Sequence, residues 1–529
     1  MSVRAHRGIV VAEGGVAAAS QPLAVATALH FLGRGAGFAD AAIAASAVLC
    51  VVEPWNSHLG GDAFLIVHDA AMRTNTAFNG SGEAPAAVAS LRPGGIPLRG
   101  PRAATVPGLV STWFALHERH GVLPMAELLQ PAIGYAADGF PAGPRMCLKF
   151  AGAADLLRDH GTLAALGAGP DVRLGQRVRQ PELAATLERV AAGGRDGFYR
   201  GETARRIAAA SEGWFTEDDL ALHRTRILEP LRGAYRDLVV HGQPPPSQGM
   251  ILIEELLLAD GWNLADMDET ERIHRLVEAK RRAFTDRNAW LADPEFTNIP
   301  LERLFSREAI ESRRASIHPG RVAADPALAP ESEGNDTTYF LVADGDGNAV
   351  SFIQSIFHNF GAAWIPEGTG ILFNNRATGF SPDPASPNAP APGKRPAHTL
   401  NAWLATRADG TLAYVGGTPG GHIQVQTNLQ LLVNAVDLGM NVQEAVEAPR
   451  WQDLAGAGAV SAEESGPGIL EVEDRVDESV LQGLRDRGHV VKAIGPWEHG
   501  SAAQLMEVLP GGAFAVGSDP RCDGHAGGI

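Results

Sequence analysis

Glycine and proline punctuate this chain densely, with 61 of the first and 35 of the second among 529 residues. That density is high for a helical protein and short of a low-complexity composition. It requires many turns and tight backbone approaches. A layered α/β protein has this character, because each strand and helix is turned back onto a shared core. The hydrophobic share of 45% and charged share of 20% are ordinary for a soluble globular chain able to bury a sizeable core.

Local patterns order the elements. Ile9 to Val11 reads as a strand. Ser20-Gln21-Pro22 offers an N-cap and a first-turn proline to a helix ending near Gly33, and Ala41 to Val52 reads as a second, buried helix. From about Ala104 to Leu301 helical patterns dominate. Within them, Glu271 to Arg287 sets Ile273, Leu276, Val277 and Phe284 on one face and charges on the other, a face expected to be solvated. Ala323 to Asp336 is polar and irregular, and the composition then changes abruptly. Thr337 to Ala343 reads as a strand, Asp344-Gly345-Asp346-Gly347 as a tight turn, and Asn348 to Ile356 as the partner strand of a hairpin. Asp344, Asp346 and Asn348 have a calcium-loop spacing, but Ala349 stands where such a loop requires glycine, so the turn is the better reading. Ser381 to Pro396 is a proline-rich loop, followed by a strand at Leu412 to Val415, the segment GGTPGGH and a helix from Gln424. No internal repeat is visible.

With 44 basic and 61 acidic residues the formal charge is −17. Such a surface repels nucleic acid and anionic membranes, which leaves a small molecule as the expected partner. The three cysteines, Cys50, Cys147 and Cys522, share no metal or redox spacing, so no disulfide framework is expected and a reducing, cytoplasmic compartment fits. The N-terminal stretch lacks the apolar core of a secretory signal, and the Ala41–Val52 run is too short to span a membrane.

H-E-x-x-H, G-x-S-x-G and S-x-x-K are all missing, and no two of the 17 histidines stand four apart. His117 and His120 read as a surface pair and His274 as structural or surface; neither a metal nor an organic cofactor is expected. What remains is the junction Asn335-Asp336-Thr337-Thr338, where the polar stretch meets the hairpin. A hydroxyl is a poor nucleophile without an adjacent base. Cleavage before Thr337 would create one, an α-amine with an unperturbed pKa of about 7.7–8.0. From composition alone, Thr-Thr at a strand start reads as β-propensity.

The order of motifs adds to this. Asp336 to Ser351 (DTTYFLVADGDGNAVS), Phe360-Gly361 and Gly370-Ile371-Leu372-Phe373-Asn374-Asn375 together resemble the small-subunit start of the gamma-glutamyltransferase family. Val52-Glu53-Pro54, Gly60-Gly61-Asp62-Ala63-Phe64, Val106-Pro107-Gly108 and Gln130-Pro131-Ala132 with Asp138-Gly139-Phe140 resemble its large subunit. So do Pro244 to Gly249 (PPPSQG) and Ala283 to Arg287 (AFTDR). Lys394-Arg395-Pro396, Thr418-Pro419-Gly420-Gly421, Glu444-Ala445 with Ala448-Pro449-Arg450, and Ser518-Asp519-Pro520-Arg521 continue it. The resemblance, which runs through nearly the whole chain, implies a four-layer αββα sandwich of the N-terminal-nucleophile hydrolase type. It implies self-cleavage between Asp336 and Thr337, giving a large subunit 1–336 and a small subunit 337–529 that intertwine. Further dimerisation is left open. Thr337 would be the nucleophile, the Gly420 and Gly421 N–H groups the oxyanion donors, and Ser355 a hydroxyl that positions the nucleophile's amine, with an ordinary strand serine as the alternative.

The family's gamma-glutamyl pocket is not reproduced. Ser81 falls where the family carries its carboxylate-clamping Arg, Gly379 where it carries an amine-binding Asp, and Arg376 at a Gln. His398 and Thr399 replace paired serines, Phe357 replaces an Asn, and the Ser381–Pro396 loop is shorter than the family's lid. These departures resemble the branch with oxamate amidohydrolase and cephalosporin-acylase-like members. They lead us to expect that Arg376, with His358 or His398, recognises a small acidic acyl group; a structural ion pair at Arg376 is the competing reading. The expected activity is hydrolysis of a small amide or acyl-amino compound. The alternatives are gamma-glutamyl transfer through a rearranged pocket and an uncleaved, non-catalytic scaffold.

Overall fold

The computed structural model describes residues 6–92, 94–323, 337–455 and 468–529. Two antiparallel sheets of seven strands each form its centre. The first runs β19 (His525–Gly528), β2 (Gly15–Ala19), β10 (Thr338–Asp344), β11 (Ala349–Ser355), β3 (Asp62–Asp69), β4 (Thr74–Asn79), β7 (Arg226–Leu228). The second runs β1 (Val10–Ala12), β18 (Phe514–Ser518), β17 (Gln504–Val508), β13 (Leu412–Gly417), β12 (Trp403–Arg407), β9 (Leu238–Gly242), β8 (Leu231–Tyr235). Smaller sheets join β14 (Trp451–Asp453), β15 (Ile469–Glu473) and β16 (Val490–Ile494), and β5 (Phe140–Pro141) with β6 (Arg177–Val178).

The twofold alternation of strand side chains sorts the layers. Tyr339 and Leu341 of β10 and Phe64 and Ile66 of β3 point between the sheets, where they meet Leu404, Val415, Met506 and Val516. The intervening Phe340, Val342, Leu65 and Val67 point outward under the helices Pro22–Gly33 and Phe38–Val52. On the far side, Trp403, Ala405, Val240 and Leu505 pack against the helices Gly249–Ala259, Glu269–Trp290 and Gln424–Leu432. The succession helix, sheet, sheet, helix is the four-layer αββα sandwich. Because both faces of each sheet are covered, every residue of β10 and β11 is buried.

The hairpin falls where the residues put it, and Asp344 closes its turn by accepting the Asp346 and Asn348 N–H groups at 3.1 Å each. Elsewhere the pattern misleads. Gly15–Ala19 is a central strand between β10 and β19 although it reads GVAAA, since burial on both faces outweighs the weak β-propensity of alanine. The second helix begins at Phe38 after Gly37, three residues ahead of the expected start, and the Asp40 carboxylate accepts the Val122 and Leu123 N–H groups. Gln21 caps the first helix instead of Ser20, whose hydroxyl donates to Glu53. The charged face of the Glu269–Trp290 helix is not wholly solvated. Lys280 and Arg281 are buried on Asp453 at 3.1 and 2.8 Å, and this pairing across 172 residues and more is invisible to helical periodicity. The helix-rich middle section also contains the hairpin of β8 and β9, an unexpected contribution to the second sheet.

Candidate active site

Asp336, half of the expected cleavage junction, lies outside the described residues. Thr337 stands one residue before β10 and is 2% exposed. By strand alternation it shares the side of Tyr339 and Leu341 and faces the space between the sheets. Its Oγ1 donates to Ser355 Oγ at 3.1 Å. Ser355 ends β11 opposite Asp62 of β3, and its Oγ also accepts the Phe357 N–H at 2.8 Å, where Phe357 takes a φ of +80°. On the opposite side of the strand, Thr338 Oγ1 donates to the buried Glu53 at 2.7 Å. The start of β10 is thus tied on both faces.

The glycine-rich turn follows β13. A Cβ on Gly417 would fall 2.3 Å from the Tyr339 ring, so this strand end lies against the side chain two residues beyond Thr337. Gly420 has φ +127° and Gly421 φ +56°, conformations that L side chains rarely adopt. Ile423 N–H takes the Gly420 carbonyl at 3.0 Å, and Gln248 Nε2 donates to the Gly421 carbonyl at 2.9 Å and to the Thr399 carbonyl at 2.7 Å. Neither glycine N–H donates to an acceptor among the described residues. Two backbone donors at a helix N-terminus are what an anion or oxyanion requires.

The expected substrate residues divide into two groups. Arg376 is fully buried. Its guanidinium lies 3.9 Å from the centre of the Phe357 ring, NH1 donates to Thr399 Oγ1 at 3.3 Å, and Nε is 3.7 Å from Asp62. His398 is equally enclosed. Its Nδ1 accepts the Leu400 N–H, which leaves Nε2–H to donate to Asp62 at 3.1 Å. His358, partly exposed, is bracketed by the Asn375 amide. Arg376, His398 and Thr399 form one cluster around Asp62, with Phe357 on Arg376 and His358 beside Phe357. Ser81 is outside it: its hydroxyl and N–H donate to Asn79, and its carbonyl accepts Arg395 Nε from the neighbouring Arg395–Glu83–His223 network.

Enclosure shapes the electrostatics. Burial pushes the Asp62 carboxyl up to about 7 against the pull of Arg376, and lowers Arg376 to about 9 with Asp62 opposing. Burial and then Arg376 keep His398 neutral, and burial brings His358 down to about 4. Unfolded Asp62 loses its proton near 3.9, while the folded carboxyl keeps it until about 7. The stability held in the protonated form is therefore complete below about pH 4 and lost as the pH rises through 7. Urea midpoints measured from pH 4.5 to 8 are expected to fall in the wild type, and Asp62→Asn, which cannot ionise, to remove that part of the fall.

Four members of this neighbourhood had no expected role. Glu53, Asp62 and Gln248 lie inside the motifs V-E-P, G-G-D-A-F and P-P-P-S-Q-G, and His422 follows Gly421 directly. Their positions were marked in the sequence, but their partners are 150 to 336 residues away in most cases, as in Gln248–Thr399 and Asp62–His398.

The layered architecture is that of the N-terminal-nucleophile hydrolases. The gamma-glutamyltranspeptidase family model matches residues 24–529, and the chain belongs to that family. It is accordingly a hydrolase or acyltransferase of that class. The glutathione hydrolase-like YwrD proenzyme of Bacillus subtilis is 36% identical over 515 residues, covering 94% of this chain and 95% of the relative. The oxamate amidohydrolase proenzyme of Klebsiella pneumoniae is 37% identical over 538 residues, covering 98% and 99%. Among solved structures, the cephalosporin acylase from Bacillus halodurans matches with a TM-score of 0.89 at 33% identity, over 100% of this chain and 98% of that one.

Proposed function

We propose that the chain is the precursor of a self-processing amidohydrolase with Thr337 as nucleophile and a small acidic amide or acyl-amino compound as substrate. The observation that carries this reading is the Thr337 Oγ1–Ser355 Oγ hydrogen bond of 3.1 Å at the head of a central strand. The relatives named as proenzymes support it. In processing, Thr337 Oγ adds to the Asp336 carbonyl, the Asp336–Thr337 C–N bond breaks, and the Oγ proton passes to the released nitrogen. Water then hydrolyses the resulting ester. In turnover, the freed α-amine accepts the Oγ proton as Oγ attacks the substrate carbonyl, and Gly420 and Gly421 N–H groups hold the oxyanion. The leaving amine takes that proton, and water cleaves the acyl-enzyme. Phe357, His358 and Thr399 present the acyl-binding surface. Arg376 and His398 set its charge from beneath, and Ser81 supports their frame through the Arg395 network.

Among the described residues, five strand pairings join residues 1–336 to 337–529: β1 with β18, β2 with β10 and β19, β3 with β11, and β9 with β12. The two fragments are therefore expected to co-elute as one particle in size-exclusion chromatography after cleavage and to part only in denaturant.

The glutathione hydrolase-like relative favours a second reading, gamma-glutamyl transfer. Ammonia release from oxamate and succinamate, beside p-nitroaniline release from gamma-glutamyl-p-nitroanilide, separates the two. Turnover of the acid monoamides alone supports the first reading, and turnover of the gamma-glutamyl compound alone replaces it with the second.

A further inference from the structure

His422 lies in the Gly421–Ile423 turn that opens the Gln424–Leu432 helix, directly after the two candidate oxyanion donors. Its Nδ1 is 2.6 Å from NH2 of Arg287 on the Glu269–Trp290 helix. A guanidinium can only donate, so Nδ1 accepts and the ring proton sits on Nε2. Nε2 has no hydrogen-bond partner among the described residues, and the residue is partly exposed. The ring thus offers one directed N–H from a fixed imidazole.

The groups around the ring oppose a second proton. Burial, then Arg287, Arg376, His358 and Lys280, all disfavour a proton on Nδ1. Of these, Lys280 is paired with Asp453 and Arg376 lies 3.7 Å from Asp62. Gln248 holds the two sides of the site in one frame, bonding the Gly421 carbonyl beside His422 and the carbonyl of Thr399, whose hydroxyl takes Arg376. A neutral N–H supplies direction at contact.

We propose that His422 is a specificity-determining residue whose Nε2–H donates to the carboxylate of an acidic acyl group bound beside the Gly420-Gly421 turn. This rests on the acidic-amide reading above and names the contact that selects the acid. Because Arg287 fixes the tautomer and the ring stays uncharged, the contact persists across neutral pH.

The test uses the purified, processed protein carrying ¹⁵N-histidine, as wild type, His422→Gln and His422→Ala. Glutarate is the probe and glutaramide its uncharged control; neither binding experiment needs turnover. The His422 signal, assigned by its loss in the variants, is expected to show the neutral Nε2–H tautomer and to move with glutarate but not with glutaramide. For acid monoamides, His422→Ala is expected to lower kcat/KM about 10- to 100-fold, mostly through KM, the factor lost with one charge-assisted hydrogen bond. His422→Gln, whose amide accepts from Arg287 and donates in turn, stays within about threefold, and butyramide is affected by neither. An Nδ1–H tautomer, an imidazolium, no response to glutarate, or equal losses on charged and uncharged amides overturns the proposal. A glutarate response at His422 in a protein that hydrolyses no amide supports it and refutes the catalytic reading instead.

Discussion

Thr337→Ala is expected to remain one unprocessed chain and to lose at least about ten-thousandfold in turnover, the scale seen when a nucleophile that works as a unit with its base is removed. In the proposed mechanism both parts disappear together: the hydroxyl that would open the Asp336 carbonyl, and the α-amine that processing would release as its base. The fold should survive. The variant gives up the bond to Ser355, a loss of about 1 kcal/mol by the usual net contribution of a hydrogen bond. The Thr338–Glu53 bond and the pairing of β10 with β2 and β11 are untouched. Denaturing electrophoresis, ammonia release and a urea midpoint read the three effects separately. Thr337→Ser keeps a hydroxyl and is expected to process. A Thr337→Ala chain that still divides at this junction would remove Thr337 from the mechanism.

Gly420→Ala is expected to lower kcat about 100- to 1,000-fold, the range measured for loss of one oxyanion donor. The backbone there sits at φ +127°, and an added Cβ would lie 2.6 Å from Ile423 Cγ1. Relief requires the turn to shift, which moves the Gly420 and Gly421 N–H groups from their aim. Gly439→Ala is the control. Its φ is +64° and a Cβ meets nothing within 4 Å, so it carries backbone strain of the same kind on an exposed turn. Equal kcat values for the two variants would mean that the Gly420 turn does not hold the developing charge.

The hairpin was legible because its strands are apolar without interruption and its turn is written in Asp and Gly. Expected as 337–343 and 348–356, its strands are Thr338–Asp344 and Ala349–Ser355. The order of motifs made the αββα architecture and the family legible as well. Gly15–Ala19 was not, since a strand of small residues has neither periodicity nor β-branching to mark it. The charged helix was misread for a related reason. Its amphipathic pattern is real, but whether Lys280 meets water or Asp453 depends on a partner brought by another part of the chain. The same holds around Asp62, where residues 62, 376 and 398 form one buried group. Sequence could mark Arg376 as a new cation near the nucleophile. Only the fold shows that it is fully buried, with its guanidinium against the Phe357 ring and Asp62 beside it.

Intact mass spectrometry of the purified wild-type protein under denaturing conditions tests Thr337 as the self-released nucleophile most directly. Two masses, those of residues 1–336 and of a fragment beginning at Thr337, are the expected result. A single mass for the whole chain, unchanged after prolonged incubation, would contradict it.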